Sequence, residues 1–92
     1  MDNTSRTAVF TGSFDPFTAG HDSIVRRALP LFDKIVIGVG VNVHKKYLYG
    51  TEVRVADIAS LYKDEPRIEV KAFSDLAVDF AKREEARFII KG

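Results

Sequence analysis

Ninety-two residues, 46% of them apolar and 29% charged, suit one small soluble domain close to the size at which burial only just suffices. A net charge of +1 excludes a strongly basic nucleic-acid surface and an acidic tail. With no cysteine in the chain, disulfides, thiolate nucleophiles and Cys-based metal sites are excluded too, which fits a reducing cytoplasm. No apolar run approaches the roughly 18 residues a bilayer span needs. The segment from Met1 to Ser5 is polar and lacks the apolar core of a signal peptide, so a soluble cytoplasmic protein is expected. There is no internal repeat and no low-complexity stretch.

Short β-branched runs alternate with helical periodicity. Thr7 to Thr11 reads as a first strand, and from His21 the apolar residues Ile24, Val25, Ala28 and Phe32 mark one helix face. Pro30 is expected to end or bend that helix in its last turn. Lys34 to Val41 is a nearly continuous apolar strand, the pattern of a sheet covered on both faces. A polar loop, Asn42 to Gly50, follows, and Thr51 reads as the N-cap of a second helix with Val55, Ile58, Ala59 and Tyr62 inward. Arg67 to Ala72 is a third strand. Ser74 is expected to cap a third helix with Leu76, Ala77, Phe80 and Ala81 inward, and Arg87 to Ile90 forms a fourth strand. The order βαβαβαβ predicts an α/β fold, a Rossmann-like open parallel sheet with helices on both faces. Ligands of such sheets bind at the carboxyl ends of the strands, beside the point where strand order reverses.

The loop after the first strand, Thr11 to His21, reads T-G-S-F-D-P-F-T-A-G-H. A strand that breaks into Gly, Ser and Pro and then opens a helix at about Gly20-His21 brings free N–H groups and a positive dipole end to one spot. His21 at that spot has a ring N–H to offer a phosphate oxygen. The segment points to nucleotide chemistry.

The stretch G-S-F-D-P-F-T-A-G-H resembles the G-(T/S)-F-D-P-x-T-x-G-H signature of the phosphopantetheine adenylyltransferase family of the nucleotidylyltransferase superfamily. Phe32-Asp33-Lys34, Lys45-Lys46, Glu52-Val53-Arg54-Val55 and Phe73-Ser74-Asp75-Leu76 fall where that family has counterparts, so the similarity runs along essentially the whole chain. Thr18 is the discriminating letter, because relatives acting on nicotinate mononucleotide typically carry His there, as do the cytidylyltransferases. The resemblance implies transfer of AMP from ATP to 4′-phosphopantetheine, giving dephospho-coenzyme A and pyrophosphate, with Mg²⁺ accompanying ATP. It also implies homo-oligomers, hexamers in the family. The family chain continues well past a segment like Ile90-Lys91-Gly92, so residues 1–92 are expected to form a single truncated domain, the N-terminal part of the adenylyltransferase fold. A sheet ending at Ile90 is then expected to expose surface and to self-associate or be poorly soluble.

Carried over residue by residue, the resemblance makes His21 a transition-state stabiliser on the ATP phosphates and brings Lys45 to the phosphopantetheine phosphate or the migrating oxygens. Ser13 and Phe14 are implied at ATP, and Ser13 also at the second substrate. Leu76 and Ala77 are implied to line the pantetheine arm, Lys91 to meet phosphate where the family more often has Arg, and Gly92 to begin a segment along ATP. Two alternatives stay open: nicotinate-mononucleotide or glycerol-phosphate nucleotidyl transfer, and a non-catalytic piece that binds a nucleotide or phosphopantetheine.

Other features read as structural. Asp15 shapes its loop through hydrogen bonds to backbone rather than binding metal. His44 is a surface residue with no metal-ligand spacing. Gly38-x-Gly40 lies inside a strand and is not a dinucleotide fingerprint, and no P-loop or nucleic-acid stacking platform is present. Arg26-Arg27 and Lys82 to Glu85 are solvated helix faces.

Overall fold

A computed structural model describes residues 6–91. Four strands, β1 (Thr7–Gly12), β2 (Lys34–Gly40), β3 (Ile68–Phe73) and β4 (Phe88–Ile90), form one sheet in the order β3-β2-β1-β4. Every pairing is parallel, with Phe10 opposite both Ile37 and Ile90. Helices α1 (Ala19–Ala28), α2 (Thr51–Leu61) and α3 (Ala77–Arg83) make the crossovers.

Strand alternation sorts the core into two layers. Phe10, Ile35, Ile37 and Val39 point to one face and meet Val25 and Leu29, together with Ile58 and Tyr62 of the second crossover. Val9 and Val36 point to the other face and meet Phe80 and Ala81 of α3. Helices therefore cover both faces, as the unbroken apolar run of β2 requires. Gly38 is needed by this packing: a Cβ there would lie 2.6 Å from the Phe80 ring and 3.0 Å from that of Phe73, and those two rings stack at 4.5 Å. Its role is close approach within the second layer, not phosphate binding.

Several boundaries shift, each for a local reason. Helix α1 starts at Ala19, because Thr18 is extended and caps it. Pro30 converts its end into a short 3-10 turn over Leu29–Leu31, as expected. Helix α2 is capped by Gly50 and not by Thr51, since the Arg54 amide donates to the Gly50 carbonyl and pulls Thr51 into the first turn. Ser74 does not cap α3, whose N-cap is Leu76 without a side-chain bond. Leu76 is accordingly 72% exposed and not inward. Ala59 is likewise exposed, and the buried residues of α2 are Arg54 and Ile58.

Candidate active site

The carboxyl ends of β1, β2 and β3 open onto a cavity of about 290 Å³. Its floor is Thr11, Gly12 and Gly40, and its walls include Ser13, Asn42, Lys45 and Tyr47. The strand-order reversal falls one strand away, between β1 and β4. A wider hollow of about 680 Å³ adjoins the cavity, sharing Val41, Asn42 and Asp75 and running on to Leu76 and Asp79.

Two loops meet here. After Gly12 the chain turns sharply through Phe14, held at φ 49°, and a cis Asp15-Pro16 bond. A positive φ is uncommon for an aromatic residue, and this one tucks the Phe14 ring into the core against Phe10 and Phe17. Gly12 makes room for it, since a Cβ there would lie 2.9 Å from that ring. The second loop, Asn42 to Gly50, folds over the first, and Asp15 fastens them together. Its carboxylate accepts the amides of Leu48 at 2.6 Å and Tyr49 at 2.8 Å. The side-chain-to-backbone role read for Asp15 stands, but the backbone belongs to the other loop. With the loops joined, Lys45 Nζ lies 3.5 Å from Ser13 Oγ across the cavity.

His21 is the third residue of α1. Its Nδ1 takes the Thr18 backbone N–H at 2.9 Å and lies 3.1 Å from Thr18 Oγ1, while its own amide donates to that oxygen at 3.4 Å. This reciprocal capping box leaves the amides of Ala19 and Gly20 with no intrahelical acceptor. The imidazole packs edge-on to Phe14 and against Phe17, with centroids 5.0 and 5.2 Å apart.

The sequence candidates therefore divide. Ser13 and Lys45 come together at the cavity, and Leu76 lines the adjoining hollow with Asp75. Phe14 is a core residue, 4% exposed, that touches His21 and does not line the main cavity. His21 does not line it either; it stands on the α1 side of the same loop. Ala77 is half-buried at the start of α3, and Lys91 is exposed beyond β4, leaving the sheet level with Thr11 because Ile90 pairs with Phe10. Gly92 lies outside the described residues. His44 is exposed, as expected. Lys82 and Arg83 are solvated, but Glu84 is tucked under Lys71, with a side chain 11% exposed. Arg83 pairs with Asp75 and holds its carboxyl below the ordinary 3.8.

Arg54, buried beneath the two loops, was not marked as a site residue from sequence. It donates to the carbonyls of Tyr49, Ser13 and Gly40 and to Thr51 Oγ1, and its guanidinium lies 4.0 Å from the centre of the Tyr47 ring. The available signal was helical spacing, which puts Arg54 four residues before Ile58 on the inward face. Tyr47 was missed for a different reason: its hydroxyl takes the Asn42 amide within the loop, a contact no periodicity announces.

Among the described residues, no three His, Asp or Glu side chains cluster as metal ligands. None of the described helices is long and apolar enough to cross a membrane.

A four-stranded parallel sheet with helices on both faces, and with two interlocked loops and a helix N-terminus at its carboxyl rim, defines a Rossmann-like α/β protein. Comparison with known proteins narrows that class: the family model described as cytidylyltransferase-like matches residues 9–92, and the chain belongs to this family. Among curated relatives, the phosphopantetheine adenylyltransferase of Flavobacterium johnsoniae is 48% identical over 87 residues, covering 95% of this chain and 57% of that protein. The enzyme of the same name from Phocaeicola vulgatus is 51% identical over 87 residues, covering 95% and 58%. The chain thus spans somewhat over half the length of the relatives it matches. A solved structure of a bifunctional NMN adenylyltransferase/ADP ribose pyrophosphatase from Francisella tularensis superposes with a TM-score of 0.69 over 96% of this chain and 32% of that one. At 20% identity that likeness concerns the fold.

Proposed function

We propose that the protein is an adenylyltransferase that moves AMP from ATP to 4′-phosphopantetheine, releasing pyrophosphate and forming dephospho-coenzyme A. The observation that carries the reading is the Lys45–Ser13 pair, held over the strand ends by two interlocked loops, in a chain about half identical to enzymes bearing that name. Thr18 favours this acceptor over nicotinate mononucleotide or glycerol phosphate.

The chemistry asks for placement and charge neutralisation. A phosphate oxygen of the acceptor attacks the α-phosphorus of ATP, the bond from that phosphorus to the bridging oxygen breaks, and pyrophosphate leaves with the electron pair. The nucleophile is already an anion, so no protein base is needed. Lys45 offsets charge on the acceptor phosphate, and Ser13 donates its hydroxyl beside it. In the neutral ring of His21, Nδ1 is an acceptor, so the proton sits on Nε2 and is available to an ATP phosphate oxygen as charge builds. Leu76 and Ala77 face the pantetheine arm, Lys91 faces phosphate, and Phe14 supports the loop from below. Among the described residues no protein-held metal site is built: Asp15 is engaged by two amides and Asp75 by Arg83. Mg²⁺ belongs in this scheme to the nucleotide it accompanies. A cytoplasmic homo-oligomer, with no nucleic-acid partner, completes the proposal.

Calorimetry with 4′-phosphopantetheine, ATP, nicotinate mononucleotide and glycerol phosphate tests the reading. Binding of the first two, with the others silent, is expected. Binding of nicotinate mononucleotide or glycerol phosphate in place of 4′-phosphopantetheine overturns the acceptor assignment, and a folded chain that binds none of the four overturns the proposal.

A further inference from the structure

Arg54 is 2% exposed, and no carboxylate among the described residues lies within ion-pair distance of it. Its acceptors are three backbone carbonyls and one hydroxyl, all neutral. A guanidinium keeps its charge when buried, and burying a charge without a counter-charge is costly even when its hydrogen bonds are met. Surface placement would have been cheaper, so the position calls for an explanation.

The geometry offers one. The same terminal nitrogen donates to Ser13 O at 2.6 Å and to Gly40 O at 3.2 Å, and both residues line the main cavity. Nε holds Tyr49 O at 3.0 Å, on the loop that carries Lys45. The Tyr47 ring lies under the guanidinium at 4.0 Å and also within 5.7 Å of Lys45 Nζ. One planar fork thus joins the end of β2, the first loop and the second loop, and its unneutralised charge sits one peptide behind the cavity wall. Screening by salt is weak at such a buried position.

We infer that Arg54 is a positioning residue of the anion site: it sets Ser13 against Lys45 through the backbone and supplies, from beneath, a positive charge that a bound phosphate offsets. The identity of the ligand rests on the adenylyltransferase reading; the loop-holding role does not.

The test compares the wild-type chain with Arg54→Lys and Arg54→Met, using 4′-phosphopantetheine, unphosphorylated pantetheine and inorganic pyrophosphate as probes. Arg54→Met is expected to weaken 4′-phosphopantetheine at least tenfold while leaving pantetheine within twofold, and Arg54→Lys, which keeps the charge without the fork, to recover part of the loss. Amide hydrogen exchange at Asn42, Leu48 and Tyr49, whose hydrogen bonds lie within or between the loops, should quicken at least tenfold in Arg54→Lys while β1 amides stay as in wild type. A folded Arg54→Met with unchanged 4′-phosphopantetheine affinity, or with equal losses for the phosphorylated and unphosphorylated compounds, overturns the charge role. Unchanged exchange in Arg54→Lys overturns the positioning role, and that arm decides it if Arg54→Met does not fold. Should wild type bind pyrophosphate but no 4′-phosphopantetheine, the proposed acceptor fails and pyrophosphate becomes the probe for the same comparison. Should it bind neither, the charge role fails with it and exchange decides the rest.

Discussion

The Thr18 backbone N–H donates to His21 Nδ1 at 2.9 Å, which places the proton of the neutral ring on Nε2. The donor is main chain, so the tautomer does not depend on the Thr18 side chain. Thr18→Val should therefore keep the Nε2–H tautomer, read by nitrogen NMR of the imidazole. It should still lose about 1 kcal/mol of stability with the cap oxygen, read by urea denaturation. A change of tautomer in this variant contradicts the main-chain assignment.

His21→Ala, in the intact enzyme, should lower turnover by about two orders of magnitude, the usual effect of losing one donor to a developing charge. Substrate affinity should move much less. Steady-state kinetics separate the two, and an unchanged turnover removes His21 from the mechanism.

Asp15 accepts two amides of the second loop, and Asn presents an oxygen to only one of them. Asp15→Asn should destabilise the fold by about 1.5–3 kcal/mol, the range for hydrogen bonds to a charged acceptor. Its signature is local: amide exchange at Leu48 and Tyr49 should quicken before global unfolding does. Loss of stability without that local change would place the role of Asp15 elsewhere.

Gly38 and Gly50 make a contrasting pair. Gly38→Ala pushes a methyl into the stacked rings of Phe80 and Phe73 and should cost about 1–3 kcal/mol. Gly50 has open space around its missing Cβ and caps α2 without a side-chain bond. Gly50→Ser should be neutral or stabilise by a few tenths of a kcal/mol, because serine supplies the cap oxygen. Thermal unfolding of both variants checks the ordering.

Tyr62 donates its hydroxyl to Asp22 at 2.6 Å, tying the second crossover to the start of α1. This bond holds the Asp22 carboxyl below its ordinary 3.8, against a smaller upward push from partial burial, and Arg26 adds to the lowering. A lowered carboxyl stabilises the fold above its unfolded value and loses that contribution as pH falls through the folded one. For Tyr62, burial first and then Asp22 push the phenol well above its ordinary 10.0, so its contribution is full below that value and fades only as pH rises through the raised one. Tyr62→Phe should cost about 1 kcal/mol at neutral pH, with the difference from wild type narrowing as pH drops below 3.8. Denaturation midpoints across pH 2–7 test the sign; a gap that widens in acid contradicts it.

Much of this fold is legible along the chain because its signals are local. The apolar run of β2 reports a sheet covered on both faces, and Pro30 reports the end of α1. Cap residues were harder to place. Thr51 and Ser74 have the right chemistry for an N-cap, yet α2 is capped by Gly50 and α3 by Leu76, each the last extended residue before its helix begins. Side-chain preference is worth about 1 kcal/mol at such a position, and the path of the loop outweighs it.

The chemistry-bearing segment from Thr11 to His21, the order of strands and helices, and the pairing of apolar faces all follow from residue type and spacing within a few positions. What the tertiary structure alone decided is which distant groups meet. Asp15 finds its amides 33 and 34 residues away, Lys45 finds Ser13 at 32, and Arg54 finds Ser13 at 41. Periodicity carries no information over such separations, because they depend on three parallel strands ending level and throwing their loops to one side. The sequence by itself points to one loop, Thr11 to His21, as a place for phosphate. The parallel sheet turns it into half of a two-loop site, with a buried arginine as the joint.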